Sequence, residues 1–314
     1  MNVLFVCREK SHSQISPIVT EQFRSLKNDV DITIFPITGK GAFSYIKAIS
    51  RLKKLLKNQH FDIVHAHYAF SAFIASISTS KPVVCSLMGS DIESCSLTRF
   101  IIRQFAKYSW ESTIVKSQSL KIKLGLPRVS IVPNGVNMDL FKPIQREKAR
   151  EKVGYDPGKI IVLFPADPAR KEKNFRLAQQ AYNLLPNKET VELKVVYDAD
   201  ISLMPYYLSA ADVILVTSYF EGSPNIIKEA LACNANIVAT PVGDIEEITA
   251  RLNTFICDFS PESLSEGIMN AITSAKKPDN ISRDRIYSIG LDSGSIAKRI
   301  LKIYKTVSPN ILNK

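Results

Sequence analysis

Short, continuous apolar runs recur along the whole chain, and stretches of helical periodicity separate them. The runs occupy residues 3–7, 32–36, 62–66, 83–87, 112–116, 131–133, 160–164, 192–197, 212–217, 237–240 and 254–257. Most of them do not alternate apolar with polar, as half-exposed strands do. Unbroken runs of this length are expected of parallel strands covered on both faces. Between the runs, residues 45–58 place Tyr45, Ala48, Ile49, Leu52, Leu55 and Leu56 at i, i+3, i+4 spacing, while Lys47, Arg51, Lys54 and Lys57 share the opposite face. The alternation predicts an α/β chain with doubly wound parallel sheets.

A length of 314 residues suggests more than one core. The composition shifts between residues 139 and 159, where a charged stretch (145–152) is followed by Gly154-Tyr155-Asp156-Pro157-Gly158, so the domain break is expected there. With about six strand candidates before the break and about five after it, the expected plan is two Rossmann-like domains facing a central crevice, residues 1–145 and 155–290. Residues 295–307 carry an apolar stripe, and the C-terminal segment 295–314 is expected to pack back on the first domain.

Apolar residues at 45% and charged residues at 23% exclude a disordered or collagen-like chain. The five cysteines are scattered, with no C-x-x-C pair, which argues for a reducing compartment and against a zinc site. The first apolar run stops at Arg8-Glu9-Lys10, too soon for a signal segment, and the uncharged stretch 63–80 is interrupted by His65, His67 and serines, so it reads as strand plus helix. The net charge of +11 points to an anionic partner.

Residues 218–232 are the most informative segment. The sequence Glu221-Gly222-Ser223-Pro224-Asn225 follows an apolar strand and precedes a helical pattern. Ser223 is read as the helix N-cap and Pro224 as its first residue. A helix N-terminus at the carboxyl end of a strand is where open α/β sheets bind ligands, and its free amides suit phosphate. Gly222 permits close backbone approach. Glu221 and Glu229 are carboxylates on one such element, each able to accept two hydroxyl hydrogen bonds.

This segment resembles the E-x7-E signature of retaining glycosyltransferases of family 4 (GT4), which have the GT-B fold. Residues 237–247, with Pro241-Val242-Gly243-Asp244, are similar to that family's P-V-V-A-T-x-x-G-G-x-x-E segment, and Val132-Pro133-Asn134-Gly135-Val136-Asn137 to its V-I-P-N-G-V-D linker motif. Asp62-Ile63-Val64-His65-Ala66-His67 and Met88-Gly89-Ser90-Asp91 resemble its D-V-V-H-A-H and H-G-S-D elements.

The resemblance implies transfer of a sugar from a nucleotide-diphosphate-sugar to a glycan or lipid-linked acceptor with retention, in bacterial surface polysaccharide or glycolipid synthesis, with no metal and no other cofactor. It implies a donor site made of Glu229 on the ribose, Glu221 and the 222–225 amides on sugar and phosphate, Asn134 nearby, and His67 beside the donor sugar. Lys173 matches the family's diphosphate lysine. Asp167 stands where an arginine is expected, and Arg170 is the substitute. His65 is read as structural, pointing the other way from His67 by strand alternation. On the acceptor side, Met88 replaces the family histidine, leaving Ser90 and Asp91 as polar candidates, and residues 8–16 lack the glycines of many relatives.

Asp198-Ala199-Asp200 imitates the D-x-D of metal-dependent GT-A enzymes but reads as a polar loop, because that fold would not explain the 221–225 or 134–136 segments. Two other readings remain open: a nucleotide-sugar epimerase or hydrolase, and a catalytically idle relative. A dehydrogenase is excluded, since no G-x-G-x-x-G follows the first strand. Basic residues concentrate on residues 45–58 and 99–128, which favours a cytoplasmic protein peripheral to an anionic membrane face, and no nucleic-acid-binding pattern appears.

Overall fold

The computed structural model describes residues 1–9, 15–39, 41–93, 95–252, 254–274 and 281–309. Residues 10–14, part of the stretch that lacks the family's glycines, and residues 310–314 of the C-terminal segment lie outside this set, as do residues 275–280.

The chain forms two compact units, Val136–Asp292 and the remainder, Met1–Gly135 with Ser293–Lys314. In unit 1 the elements run β1 (Asn2–Arg8), α1 (Pro17–Leu26), β2 (Asp31–Ile37), α2 (Ala42–Asn58), β3 (Ile63–His67), α3 (Ala69–Ser78), β4 (Val83–Ser86), α4 (Ser90–Glu93), α5 (Ser96–Tyr108), β5 (Ser112–Val115), α6 (Gln118–Leu124) and β6 (Ser130–Ile131). The strands form one sheet in the order β2-β1-β3-β4-β5-β6, parallel throughout. Val3, Leu4, Phe5 and Val6 are all fully buried. Both faces of β1 are therefore covered, which is why its sequence shows no alternation.

Unit 2 contains α7 (Arg146–Val153), β7 (Ile160–Phe164), a 3-10 turn (Lys171–Lys173), α8 (Phe175–Asn183), β8 (Val191–Val195), α9 (Met204–Ala210), β9 (Val213–Val216), α10 (Asn225–Ala232), β10 (Ile237–Ala239), α11 (Ile245–Thr249), β11 (Thr254–Ile256), α12 (Pro261–Thr273) and α13 (Ile281–Ser288). Its sheet is also parallel, in the order β11-β10-β9-β7-β8. Every apolar run of the sequence is thus a strand, its ends shifted by a residue or two. The charged stretch 145–152 belongs to α7 because Arg150 is pulled inside. Its guanidinium is 2% exposed, donates to the carbonyls of Pro157, Lys159 and Ala210, and pairs with Asp212 at 2.7 Å. A buried cation of this kind is tolerated only with its partners in place.

The last helix, α14 (Ser293–Val307), buries Ile296, Ala297, Ile300 and Tyr304 and packs against α1 of unit 1. Each sheet reverses its winding direction once, between β1 and β3 in unit 1 and between β7 and β9 in unit 2. Doubly wound sheets open their ligand crevices at the carboxyl ends of such strand pairs.

Candidate functional site

In unit 2 the reversal point joins the loop after β7 to the loop after β9. Thr217, just past β9, donates its hydroxyl to the carbonyls of Lys173 and Asn174 at 3.0 Å, and the Tyr219 amide bonds to the Glu172 carbonyl at 2.9 Å. Asn174 takes a left-handed conformation (φ 53°), which turns the chain sharply into α8. These bonds hold Lys173 against Glu221. The two side chains form an ion pair, both largely covered, and the Ser218 hydroxyl donates to the same Glu221 oxygen at 2.9 Å. A small cleft lined by Pro165, Lys173, Thr217, Ser218 and Ile226 opens beside the pair.

The loop 221–224 is fixed from below as well. Gly243 (φ +65°) packs so tightly that a Cβ there would lie 2.6 Å from the Gly222 carbonyl oxygen. α10 begins at Asn225 with Pro224 in the capping position and no side-chain cap bond, one residue later than the sequence reading. Ser223 does not cap because its hydroxyl accepts instead from Lys228 Nζ at 3.2 Å. Glu229 is next in the helix, and burial pushes its carboxyl up to about 7 against the opposing pull of Lys228. Arg170 has a different carboxylate partner. It is more than half exposed and clasps Glu172 Oε1 at 2.8 Å and 2.5 Å.

In unit 1, His67 ends β3 beside the reversal point. It is 2% exposed, and neither ring nitrogen has a hydrogen-bond partner. Burial, reinforced by the Lys116 charge, lowers it to about 3, so the ring is neutral. The expectation that His65 points away from His67 is corrected. Residues two apart on a strand share a face, and the two rings stack at 4.5 Å. His65 is a structural residue: its Nδ1 lies 2.5 Å from the Tyr304 hydroxyl and 3.5 Å from the Gln22 amide, its Nε2 2.8 Å from the Ser86 hydroxyl. Tyr68, after His67, holds φ at 83°, a strained value that cannot be read from sequence.

Asp91 is fully buried, and the amides of Ala69, Met88, Gly89 and Ile92 donate to its carboxylate. It braces the turn after β4, while Ser90 beside it is exposed. Asn134 lines a small cleft of unit 1 with Glu21, Gln22 and Ser293. A larger depression lined by Lys53, Lys57, His60 and Lys81 lies at the amino-terminal ends of β3 and β4, away from His67. Asp200, in the D-x-D look-alike, is engaged with the Ser202 amide and hydroxyl at 2.8 Å and 2.7 Å.

Two family models match the chain. One described as "Glycosyl transferase 4-like" covers residues 2–118, and one described as "Glycosyl transferases group 1" covers residues 162–274. The chain belongs to the GT4 family of glycosyltransferases. It is a nucleotide-sugar-dependent transferase of GT-B fold. Among relatives of this GT4 enzyme, the Bacillus subtilis (strain 168) glycosyltransferase TuaC, named for teichuronic acid biosynthesis, is 23% identical over 300 residues, with 86% of this chain and 77% of the relative covered. The Escherichia coli UDP-Gal:alpha-D-GlcNAc-diphosphoundecaprenol alpha-1,3-galactosyltransferase is 21% identical, covering 86% of this chain and 81% of its own length. The crystal structure of Anabaena Alr3699/HepE in complex with UDP and glucose superposes with a TM-score of 0.79 at 14% identity, over 98% of this chain and 100% of that one. Lys228 and Lys116, both buried beside the candidate residues, are what the sequence reading missed. A lysine next to a glutamate in a helical stretch looks like a solvated face, and only packing shows otherwise.

Proposed function

We propose that this GT4 enzyme transfers a hexose from a UDP-sugar to a lipid-linked or glycan acceptor with retention at the anomeric carbon, without a metal ion. The observation that carries the reading is the Lys173–Glu221 pair at the carboxyl ends of β7 and β9, with the first turn of α10 beside it. A donor diphosphate competes with Glu221 for Lys173, and its entry releases the Glu221 carboxylate to accept from sugar hydroxyls. Glu229 accepts from the ribose hydroxyls, and the amides of Gly222, Ser223 and Asn225 are the candidates for phosphate. The bond from the anomeric carbon to the phosphate oxygen breaks as the bond to the acceptor oxygen forms, and the acceptor proton passes to the departing phosphate. Lys173 and the helix terminus stabilise the charge that develops on that leaving group, so no divalent ion is required. Arg170, tied to Glu172, contributes long-range charge only. His67, a neutral ring whose buried nitrogens have no partner among the described residues, is the candidate on unit 1 for the transferring sugar, and Ser90 for the acceptor side.

A lipid-linked acceptor is supported by the surface of unit 1. Phe43 and Ile46 on α2, Phe70 on α3, and Leu97, Phe100 and Ile101 on α5 are exposed, Phe43 by 77%. All lie in the first two turns of their helices, toward the carboxyl edge of the sheet. Exposed Lys47 adjoins Ile46 on α2. An apolar rim with basic neighbours suits an anionic bilayer face. No described helix is long and apolar enough to cross a membrane.

Incubation with UDP-glucose and UDP-galactose, with and without an undecaprenyl-diphosphate-linked sugar, tests the reading. Acceptor-dependent release of UDP with an axial new linkage by NMR, unchanged by EDTA, is expected. Full turnover without acceptor would replace it with hydrolysis or epimerisation. Retained turnover in Lys173→Met would remove the ion pair from the site.

A further inference from the structure

Lys228 is 1% exposed, one of the largest fully buried side chains of the chain, in a helix whose neighbouring Ile227, Ala230, Leu231 and Ala232 are apolar and buried. A buried ammonium needs compensating partners, and packing alone would favour an apolar residue. The groups around it come from several elements. Ser223 in the loop before α10 accepts its hydrogen bond at 3.2 Å. Asp244, in the loop before α11, bonds to Ser223 and lies within the electrostatic reach of Lys228, with Glu247 as a like-charged neighbour. Glu229 adjoins Lys228 on α10, and beyond it Cys233 feels both Glu229 and Arg283 of α13. The same two loops touch backbone to backbone at Gly243 and Gly222.

We propose that Lys228 is a positioning residue of the donor site: from inside α10 it ties Ser223 to Asp244, locks the Glu221–Gly222 turn, and keeps the Glu229 carboxyl anionic for donor hydroxyls. The inference rests on the assignment of Glu229 to the donor. Burial lowers the Lys228 ammonium to about 8 and raises the carboxyls of Glu229 to about 7 and Asp244 to about 6. Near neutrality, Glu229 is therefore poised between its two forms, and the Lys228 charge holds it toward the carboxylate. That dependence separates positioning from packing. Removing one member of a buried charge cluster costs stability, but in the folded variant a purely structural lysine would leave donor recognition and its pH dependence untouched.

The test is UDP-glucose binding by calorimetry from about pH 5.5 to about pH 8.5, a range in which a diphosphate diester does not titrate, on wild type, Lys228→Met and Ser223→Ala. Thermal melts report folding. In Lys228→Met the acid midpoint of binding is expected to rise by about one pH unit, with affinity at neutral pH down about tenfold. In Ser223→Ala affinity is expected to fall at every pH with the midpoint unmoved. A folded Lys228→Met protein with the wild-type midpoint and affinity overturns the inference, and Lys228→Gln gives the same comparison should the methionine variant not fold. Wild type that binds none of UDP-glucose, GDP-mannose and ADP-glucose overturns the donor assignment itself, a result distinct from an unmoved midpoint.

Discussion

Gly243→Ala isolates what the contact between the two donor-side loops contributes. The residue holds φ at +65°, and an added Cβ would lie 2.6 Å from the Gly222 carbonyl oxygen and 3.0 Å from that of Glu221. Both obstacles are main chain, so no rotamer change relieves them. The left-handed conformation alone is unfavourable for alanine by about 1–2 kcal/mol. Gly154→Ala provides the control, because Gly154 has φ +71° in the same unit with nothing within 4 Å of the added atom. The control should lower the melting temperature by about 2–4 °C for each kcal/mol and leave the donor site intact. Gly243→Ala incurs the same conformational penalty and must also displace the Glu221–Gly222 backbone by about 0.8 Å to restore ordinary packing. Glu221 meets Lys173 and Ser218 through a single oxygen, so that shift reaches the ion pair. Misplacement on this scale reduces turnover by about 10- to 100-fold. Parallel melts and UDP-sugar turnover on both variants decide the matter. If Gly243→Ala matches Gly154→Ala in both, the close approach does not organise the site.

The remaining predictions concern single side chains. Lys173→Met should reduce turnover about 100-fold or more, as expected for a cation facing a leaving group, whereas Arg170→Ala, an exposed pair with Glu172, should change it by less than about fivefold; steady-state kinetics on both variants would show the contrast, and equal losses would count against it. His67 is held near 3 by burial while the unfolded ring titrates at 6.5, so the unfolded state binds more protons below that value and stability falls as pH drops from about 6.5 toward 3. Urea denaturation should show about 2 kcal/mol lost to this ring by pH 5, and His67→Phe, which forfeits no hydrogen bond, should flatten the curve by that amount. Replacing Phe43, Ile46 and Phe100 together by serine should weaken sedimentation with phosphatidylglycerol vesicles at least about tenfold while leaving UDP-glucose binding unchanged; undiminished sedimentation would place the lipid contact elsewhere.

The parts of the site legible in the sequence are those whose chemistry is local. A strand followed by Glu-Gly-Ser-Pro-Asn and a helical pattern specifies a helix terminus wherever the strand goes, and Lys173 is reached by counting from the end of an apolar run. Residues that depend on distant neighbours were misread or missed. Asp91 is an acceptor-side candidate by sequence, and only the fold shows that four amides, from α3, the turn after β4 and α4, close around it. His65 shares the face of His67, and its partners Tyr304 and Gln22 come from α14 and α1, which the sequence does not place beside β3. Ser223 satisfied the rules for an N-cap but is captured by Lys228, a residue five positions on whose burial only the assembled unit imposes.

The same distinction alters the meaning of the +11 charge. Counted from the sequence, every lysine and arginine is a candidate for attracting an anion. In the folded chain Arg150, Lys116 and Lys228 are buried, and Arg103 is committed to the last carbonyls of α6 at 2.7 Å and 3.2 Å. These cations act over one or two residues: they brace α7, lower the histidines of β3, or tune Glu229. Among the exposed cations of α2, Lys47 adjoins the apolar rim, while Lys53 and Lys57 line the depression at the amino-terminal ends of β3 and β4. Because the rim offers exposed phenylalanines and isoleucines beside Lys47, salt alone should not strip the protein from anionic vesicles. Charge should govern how fast it arrives, with a Debye length of about 8 Å at physiological salt, and the apolar rim how long it stays.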